Sequence, residues 1–483
     1  MKLEASEPLV VLDELRVPYE LLEGAGSGDE IVDPFPMSGF ATLRQGDRAN
    51  APRLRWPSGS PELADSAGLH HMEGIPIFAR LIPDSTLRPL AIQHGWVAGA
   101  DIFDASERPV GAVWREADGS VVLPFDPNEA IRNLTMERYR DAGGEEGGEG
   151  SSGLLLRTYY LVRPLLPRRL QLAMRRVFSR IQGRRKFPRW PYEPARHDLA
   201  RRVYEFVAEI TDAPPPWIAP WPGPHSWAMV VTHDVETAVG YDKMLEICAL
   251  EEARGYRSSW NLVAQRYTVE DARVQHITDR GFEVGIHGLY HDGRDLESKQ
   301  MIRERLPAVR EFADRWRAAG FRSPATQRKW EWMGLLGFDY DSSFPDTDPY
   351  ETQPGGSCSW FPFFIDELVE LPITLPQDHT LFVILRKDGA STWIDKARQL
   401  RERGGMALIL THPDYMIDDA ALQAYASFLK EFQGDASAWR ALPRDVAAWW
   451  RRRAASHVEP FGDGWRVVGP AAGEAVIETN PPS

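Results

Sequence analysis

Arg280-Gly281-Phe282-Glu283-Val284-Gly285-Ile286-His287-Gly288-Leu289-Tyr290-His291 holds the pattern from which the fold is read. Gly281 closes a helical stretch, and a glycine just past the last periodic residue is a common left-handed helix stop. A short strand-like run, 282–287, follows and ends on a polar side chain. The same unit recurs from about residue 221 onward. Helical stretches end at Gly255, Gly281, Gly320, Gly337 and Gly404, and strand-like runs follow at 256–263, 282–287, 321–324, 338–344 and 406–412. Runs at 227–232 and 368–374 add two more. Strands alternating with helices imply βα units and a mainly parallel sheet. Seven strands at this spacing suit a barrel; a doubly wound open sheet is the alternative.

In both architectures, active sites collect at the carboxyl ends of the strands. This chain places polar residues there repeatedly. The run 227–231 leads into Thr232-His233-Asp234-Val235-Glu236, and 284–286 leads into His287 and His291. Phe321 leads into Arg322-Ser323-Pro324, Tyr340 into Asp341-Ser342-Ser343, and 407–410 into Thr411-His412-Pro413. His287 and His291 are four apart, a spacing at which two imidazoles reach one ion. Asp234 and Glu236 are two apart and share a face of an extended strand. Two neutral imidazoles and one carboxylate form a ligand set for zinc or a similar divalent ion, with positions left for water and substrate. Spacing alone leaves open which of the two acids binds the ion and which faces the water. Either pair in isolation reads as an ordinary surface feature; their convergence on separate strand ends points to a metal site. His233, between the two acids, points to the other face and is expected to be structural.

With these motifs in place, residues 221–450 resemble the polysaccharide deacetylase family, carbohydrate esterase family 4. The resemblance implies a distorted (β/α)7 barrel. It implies Asp234 as catalytic base and Glu236 as metal ligand, with His287 and His291 as the two histidine ligands. Arg322 would orient the base, Asp341 would position the acid, and His412 would be that general acid. The Ala325 backbone N–H would serve as an oxyanion donor. The metal implied is zinc first, with cobalt, nickel or iron as substitutes. The chain departs from the family pattern at Glu236 in place of an aspartate, at Gly288 in place of Ser or Thr, and at Ala325 in place of an aromatic. Trp330, Trp332 and Trp360 lie near predicted loops and are candidates to stack on sugar rings. Among the seventeen tryptophans of this chain, however, core packing is the usual fate.

The rest of the chain divides by composition. Residues 1–140 read as a mixed α/β domain of unknown role. Within it, Asp126-Pro127-Asn128-Glu129 is a helix start with Asp126 as N-cap, Pro127 at the first helical position and Glu129 two residues later. His70 and His71 are adjacent and diverge in regular structure. Residues 141–153, rich in Gly, Glu and Ser, read as a flexible linker. Residues 154–220 read as a basic helical connector, 221–455 as the barrel, and 456–483 as an appendage with a strand at 465–468. The stretch 163–189 carries ten Lys or Arg and no acid. It is expected either to pack as a helix on the acidic remainder or to touch an anionic membrane surface.

A formal net charge of −14 argues against non-specific nucleic-acid binding. Two cysteines, Cys248 and Cys358, make no disulfide framework. The first residues lack the apolar core of an export signal, so the expected location is the cytoplasm, at the inner face of the membrane if 163–189 binds lipid. The leading functional expectation is a metal-dependent hydrolase that removes N-acetyl groups from an amino sugar of a polysaccharide, its precursor or a lipid-linked glycan. Three alternatives stand beside it. They are a hydrolase of small cyclic or ureido amides, a non-haem Fe(II) enzyme, which uses the same ligand types, and a non-catalytic glycan-binding barrel.

Overall fold

The computed structural model describes residues 2–22, 35–46, 50–140, 187–417 and 419–482. The linker expected at 141–153 and nearly all of the basic stretch 163–189 lie outside the described residues. The chain forms two compact units. One gathers the described residues of Met1–Glu146, Pro194–Ala219 and Arg452–Ser483; the other gathers those of Gly147–Glu193 and Pro220–Arg451.

The first unit is built on a nine-stranded sheet. Three antiparallel hairpins form most of it: Phe40–Gln45 with Arg53–Pro57, Gly68–Met72 with Ile75–Ala79, and Val97–Asp104 with Pro109–Arg115. The helix Pro127–Thr135 starts where the sequence places it, with the Asp126 side chain accepting from the Asn128 N–H at 2.8 Å. Proline fits the first helical position because its missing N–H would have no partner there. Two regions differ from expectation. The helix Ala195–Glu209, from the supposed connector, belongs to this unit. So does the supposed appendage, whose strand Ile477–Glu478 pairs with Trp217–Ile218. The reason is a set of long-range contacts invisible to composition. Buried Arg453 donates to the carbonyls of Glu14, Ile218 and Ala219 at 2.9, 2.6 and 3.0 Å, tying three distant segments together.

The second unit carries seven parallel strands: β1 (Trp227–Val235), β2 (Ser259–Leu262), β3 (Glu283–Ile286), β4 (Gly320–Phe321), β5 (Tyr340–Asp341), β6 (Leu368–Glu370) and β7 (Met406–Thr411). They pair in the order β6-β5-β4-β3-β2-β1-β7. The chain beyond β6 bends back onto β7, where the Leu375 N–H donates to the Leu408 carbonyl at 3.0 Å. That contact lies beyond β6 itself; the paired strands form a curved, half-barrel row of seven whose end strands are not paired to each other.

Period-two alternation sorts the strand residues. Trp227, Met229, Val231 and Val235 of β1 pack outward in the core shared with the helices, as do Trp260 of β2, Val284 and Ile286 of β3, and Ile409 of β7. The intervening residues therefore face the barrel interior. The outer core is lined by α1 (Ala238–Glu252), α2 (Asp271–Asp279), α3 (Lys299–Trp316), α4 (Ser391–Glu402) and α5 (Asp419–Phe432). Four of the five expected glycine stops, Gly255, Gly281, Gly337 and Gly404, have positive φ. Gly320 differs. Arg317 takes the left-handed cap of α3, and Gly320 is a strand residue whose missing Cβ leaves room for the Tyr340 ring, 1.9 Å from where that atom would sit.

Tyr340 donates to Glu283 Oε1 at 2.7 Å, and Glu283 also accepts from the Arg444 N–H at 3.1 Å. Burial pushes the Glu283 carboxyl up to about 7. The folded state thus holds this proton at a pH where the unfolded chain has released it. Folding stability is therefore lost as pH rises between the ordinary carboxylate value and about 7. Glu283→Gln lacks this titration. Compared with the wild type, the variant should gain roughly 3 kcal/mol in urea unfolding between pH 4 and pH 8. A wild-type-to-variant difference that does not change with pH would contradict the assignment.

Candidate metal centre

At the carboxyl ends of the strands the inward positions carry polar side chains. Asp234 and Glu236 extend the inner face of β1, Asn261 lies on β2, His287 ends β3, Arg322 ends β4, Ser342 follows β5 and His412 ends β7. The alternation that turns Asp234 inward turns His233 outward. His233 Nε2 lies 2.6 Å from Glu251 Oε1 on α1, Nδ1 lies 2.8 Å from Thr411 Oγ1, and the ring stacks on Trp260. It is structural, as expected.

Ligand atoms of Glu236, His287 and His291 lie within 4.8 Å of one another, the one such group of three found among the described residues. His287 Nδ1 faces the Arg322 carbonyl at 3.0 Å, so it carries the proton and leaves Nε2 as a lone pair. Nε2 of both histidines is buried and makes no hydrogen bond. His291 Nε2 lies 3.1 Å from Glu236 Oε1. Burial, the largest influence, lowers the His287 pKa to about 4, so the ring is neutral at ordinary pH. Glu236 is held below its usual range despite burial, chiefly by His291 and His412. A neutral imidazole with an orphaned nitrogen beside an ionised carboxylate is the donor set a divalent cation needs. The residues present fit such an ion.

Asp234 stands next to this trio. Its Oδ2 is 3.7 Å from His287 Nε2, and its Oδ1 accepts from Asn261 Nδ2 at 2.8 Å and Arg322 Nη1 at 3.2 Å. Burial works to raise its pKa, but the cationic Arg322 and His412 and the hydrogen bond from Asn261 outweigh it and keep the carboxylate ionised. Arg322 does not grip Asp234 with a two-pronged fork. One nitrogen serves both Thr232 Oγ1 and Asp234, while Nε and Nη2 bind the Ser342 carbonyl and hydroxyl at 2.7 Å each.

His412 ends the strand paired with β1, its Nε2 3.8 Å from Glu236 Oε1. Its partner is Asp378, which accepts from the His412 N–H at 2.7 Å through Oδ2 and sits 2.7 Å from Nδ1 through Oδ1. Burial opposes protonation of His412, yet the carboxylates, Asp378 first, raise its pKa to about 10. The carboxylate that contacts His412 is therefore Asp378 and not the expected Asp341. The reason is parity. Ser342 takes the inward position after β5, on Arg322, so Asp341 turns to the opposite face. There it accepts from the Ser343 N–H and hydroxyl at 3.0 Å and shares a buried carboxyl pair with Glu370.

Ala325 lies at an exposed turn with φ +54°, a left-handed backbone conformation that is uncommon for alanine. Of the three tryptophans, burial removes Trp360 as a sugar platform, while Trp330 and Trp332 are half-buried. Trp360 is fully buried and stacks on Tyr192, and its carbonyl accepts from the Met406 N–H at the start of β7, away from His412. Trp330 stacks on Phe363, and Trp332 packs against the core beneath the Lys329 ammonium.

Four further residues shape the centre. Asn261 braces Asp234, and the space it uses exists because residue 285 is glycine; a Cβ there would come within 2.2 Å of Asn261 Oδ1. Asp378 holds His412. Asp414 accepts from the Glu236 N–H at 3.0 Å and from the Thr237 hydroxyl, fixing the ligand's backbone. Asp295 fills the space next to Gly288, where a Cβ would lie 2.3 Å from its Oδ2. That oxygen faces the Leu289 N–H at 3.4 Å, and Arg305 binds its other oxygen at 2.8 Å. A carboxylate from farther along the chain thus stands where a side chain at Gly288 would be. Only Asp414, two residues after His412 in Thr-His-Pro-Asp, had a local sequence signal.

No family model matches the sequence, and no curated protein matches it. Among solved structures, the chain is similar to a Mycobacterium smegmatis protein assigned as a polysaccharide deacetylase. The TM-score is 0.41 and the identity 17%, covering 50% of this chain and 96% of that one. It is similar to the allantoinase Puue, at TM-score 0.39 and 17% identity, over 48% of this chain and 93% of that one. A Pseudomonas aeruginosa PAO1 protein, also assigned as a polysaccharide deacetylase, gives TM-score 0.39 and 18% identity over 48% and 94% of the two chains. In each case the likeness takes in about half of this chain and nearly all of the other.

Proposed function

We propose that this protein is a divalent-metal hydrolase that removes an N-acyl group, acetyl first, from an amino sugar. One observation carries the reading: an ionised buried carboxylate and a protonated buried imidazole flank the same three-ligand cluster. Asp234 Oδ2 is 3.7 Å from His287 Nε2, and His412 Nε2 is 3.8 Å from Glu236 Oε1. A base and an acid next to one centre suit hydrolysis of a bond whose leaving group needs a proton. A pure binding site needs neither, and an Fe(II) oxygenase does not require that flanking pair.

Glu236, His287 and His291 would hold the ion, which when bound supplies Lewis acidity and lowers the pKa of a water. Asp234, kept ionised and oriented by Asn261 and Arg322, takes the water's proton. Attack on the acyl carbon gives a tetrahedral species, with the Ala325 N–H assigned to its oxygen. His412, its Nδ1 fixed by Asp378, presents its Nε2 proton to the departing amine. Release of carboxylate and free amine completes the turnover.

The substrate is proposed to be a precursor or lipid-linked glycan at the cytoplasmic side, with residues 163–189 near the membrane. Among the described residues, no helix is long and apolar enough to cross a membrane. The test is carboxylate release by zinc-loaded protein across N-acetylated monosaccharides, oligosaccharides, lipid-linked glycans and ring amides. Acetate from an N-acetylated sugar is expected. Turnover of ring amides alone would move the activity to that class, O2-dependent turnover would replace hydrolysis, and no turnover of any acyl amide would overturn the function.

A further inference from the structure

We propose that Arg305 positions His291 as a metal ligand; the inference rests on the metal centre proposed above. The two histidines of that centre are held by different means. His287 belongs to the sheet: its N–H donates to the Leu262 carbonyl at 2.8 Å. This pairing continues into the loop after β2, where the Leu289 carbonyl accepts from the Gln265 N–H at 2.8 Å. His291 comes two residues later, in the loop before α3, and its φ is +55°. A left-handed backbone is uncommon outside glycine and persists where surrounding contacts fix it.

Those contacts converge on one guanidinium. Arg305, on α3, is mostly buried, with 11% of its side chain exposed. Its Nη1 donates to Asp292 Oδ1 at 2.7 Å and to Asp295 Oδ1 at 2.8 Å, and its Nη2 donates to Asp292 Oδ2 at 2.6 Å. The same group lies over the Tyr290 ring, 5.1 Å from its centroid. Tyr290 and Asp292 are the residues on either side of His291, so a single arginine grips both. The two-pronged bond to Asp292 fixes direction as well as distance. Asp295, the third partner, has its other oxygen against Gly288, at the root of the same loop. Arg305 therefore ties the loop to an outer helix at its root and on both sides of the ligand. It acts on His291 through these neighbours, as a positioning residue.

The test is zinc affinity of the full-length protein, measured by competition with a chromophoric chelator, for the wild type, Arg305→Ala, Arg305→Lys and Arg315→Ala. Losing a group that orients a metal ligand weakens metal binding by about 10- to 100-fold, and that loss is expected for Arg305→Ala. Arg305→Lys should fall between it and the wild type, because an ammonium keeps the charge and lacks the fork for Asp292. Arg315→Ala is the control. Arg315 stands on the same helix and binds Asp271 at 2.7 Å, on no ligand loop, so this variant should keep wild-type affinity. The visible spectrum of cobalt-loaded protein reports ligand geometry and should change in Arg305→Ala and not in Arg315→Ala. Urea unfolding of the same preparations separates damage to the site from damage to the fold. If Arg305→Ala does not fold, Asp292→Asn, at an exposed residue, weakens the same fork and should loosen zinc binding likewise. Wild-type zinc affinity and cobalt spectrum in the folded variant would overturn the positioning role and leave the metal centre standing. No zinc uptake by the wild type would overturn the centre and the role together.

Discussion

Asp234→Asn is expected to reduce turnover about a thousand-fold, the range in which a positioned general base contributes. The exchange preserves shape. An amide oxygen can still accept from Asn261 and Arg322, now at 2.8 and 3.2 Å from Oδ1, but it cannot take a proton from water. Zinc stoichiometry should be retained, because the residues proposed to hold the ion are Glu236, His287 and His291. Some stability will be lost with the charge. Arg322 is buried and keeps Thr232 and Ser342 as partners, but removing one member of a buried ion pair can cost about 3 kcal/mol or more. Unfolding and turnover therefore need to be measured on the same preparation, at a temperature where the variant is folded. Folded, zinc-loaded Asp234→Asn working within ten-fold of the wild type would remove Asp234 from the role of base.

Asp378→Ala is expected to have the second-largest effect, a fall in turnover of about a hundred-fold from a misplaced and less basic general acid. Asp378 holds both the backbone and the ring of His412. It is also the leading cause of the raised His412 pKa. The sign of the pH effect follows. His412 must be protonated to act, and losing Asp378 lowers its pKa, so the alkaline limb of the rate profile should move to lower pH. Asp341→Ala serves as the contrast. Asp341 faces away from the centre, so any loss it causes should appear in stability without that displacement. An alkaline limb unmoved by Asp378→Ala and displaced by Asp341→Ala would restore the assignment made from the motif order.

Much of this arrangement is written locally. The helix stops, the apolar runs and the polar residues that end them are nearest-neighbour patterns, and seven strands emerge at the seven expected places. Period two settled that Asp234 and Glu236 share a face and that His233 does not. The same period shows why Asp341 was misjudged. In Tyr340-Asp341-Ser342-Ser343 a single residue decides the face, and β5 is only two residues long, too short for its own pattern to fix the parity. The three tryptophans illustrate a second limit. An indole next to a predicted loop has the same local sequence whether it meets a sugar or Phe363.

What the chain determined by itself is the kind of chemistry: two imidazoles, two carboxylates and a further histidine, each at the end of a strand. Tertiary structure alone decided the partners that give those groups their states. Asp378 reaches His412 across 34 residues, and Asp414 reaches back 178 to the backbone of Glu236. Their positions depend on how loops from different strands meet at one end of the curved sheet. A hydrogen bond is set by distances of a few tenths of an ångström, and residues far apart in sequence acquire such distances only when the whole sheet has formed.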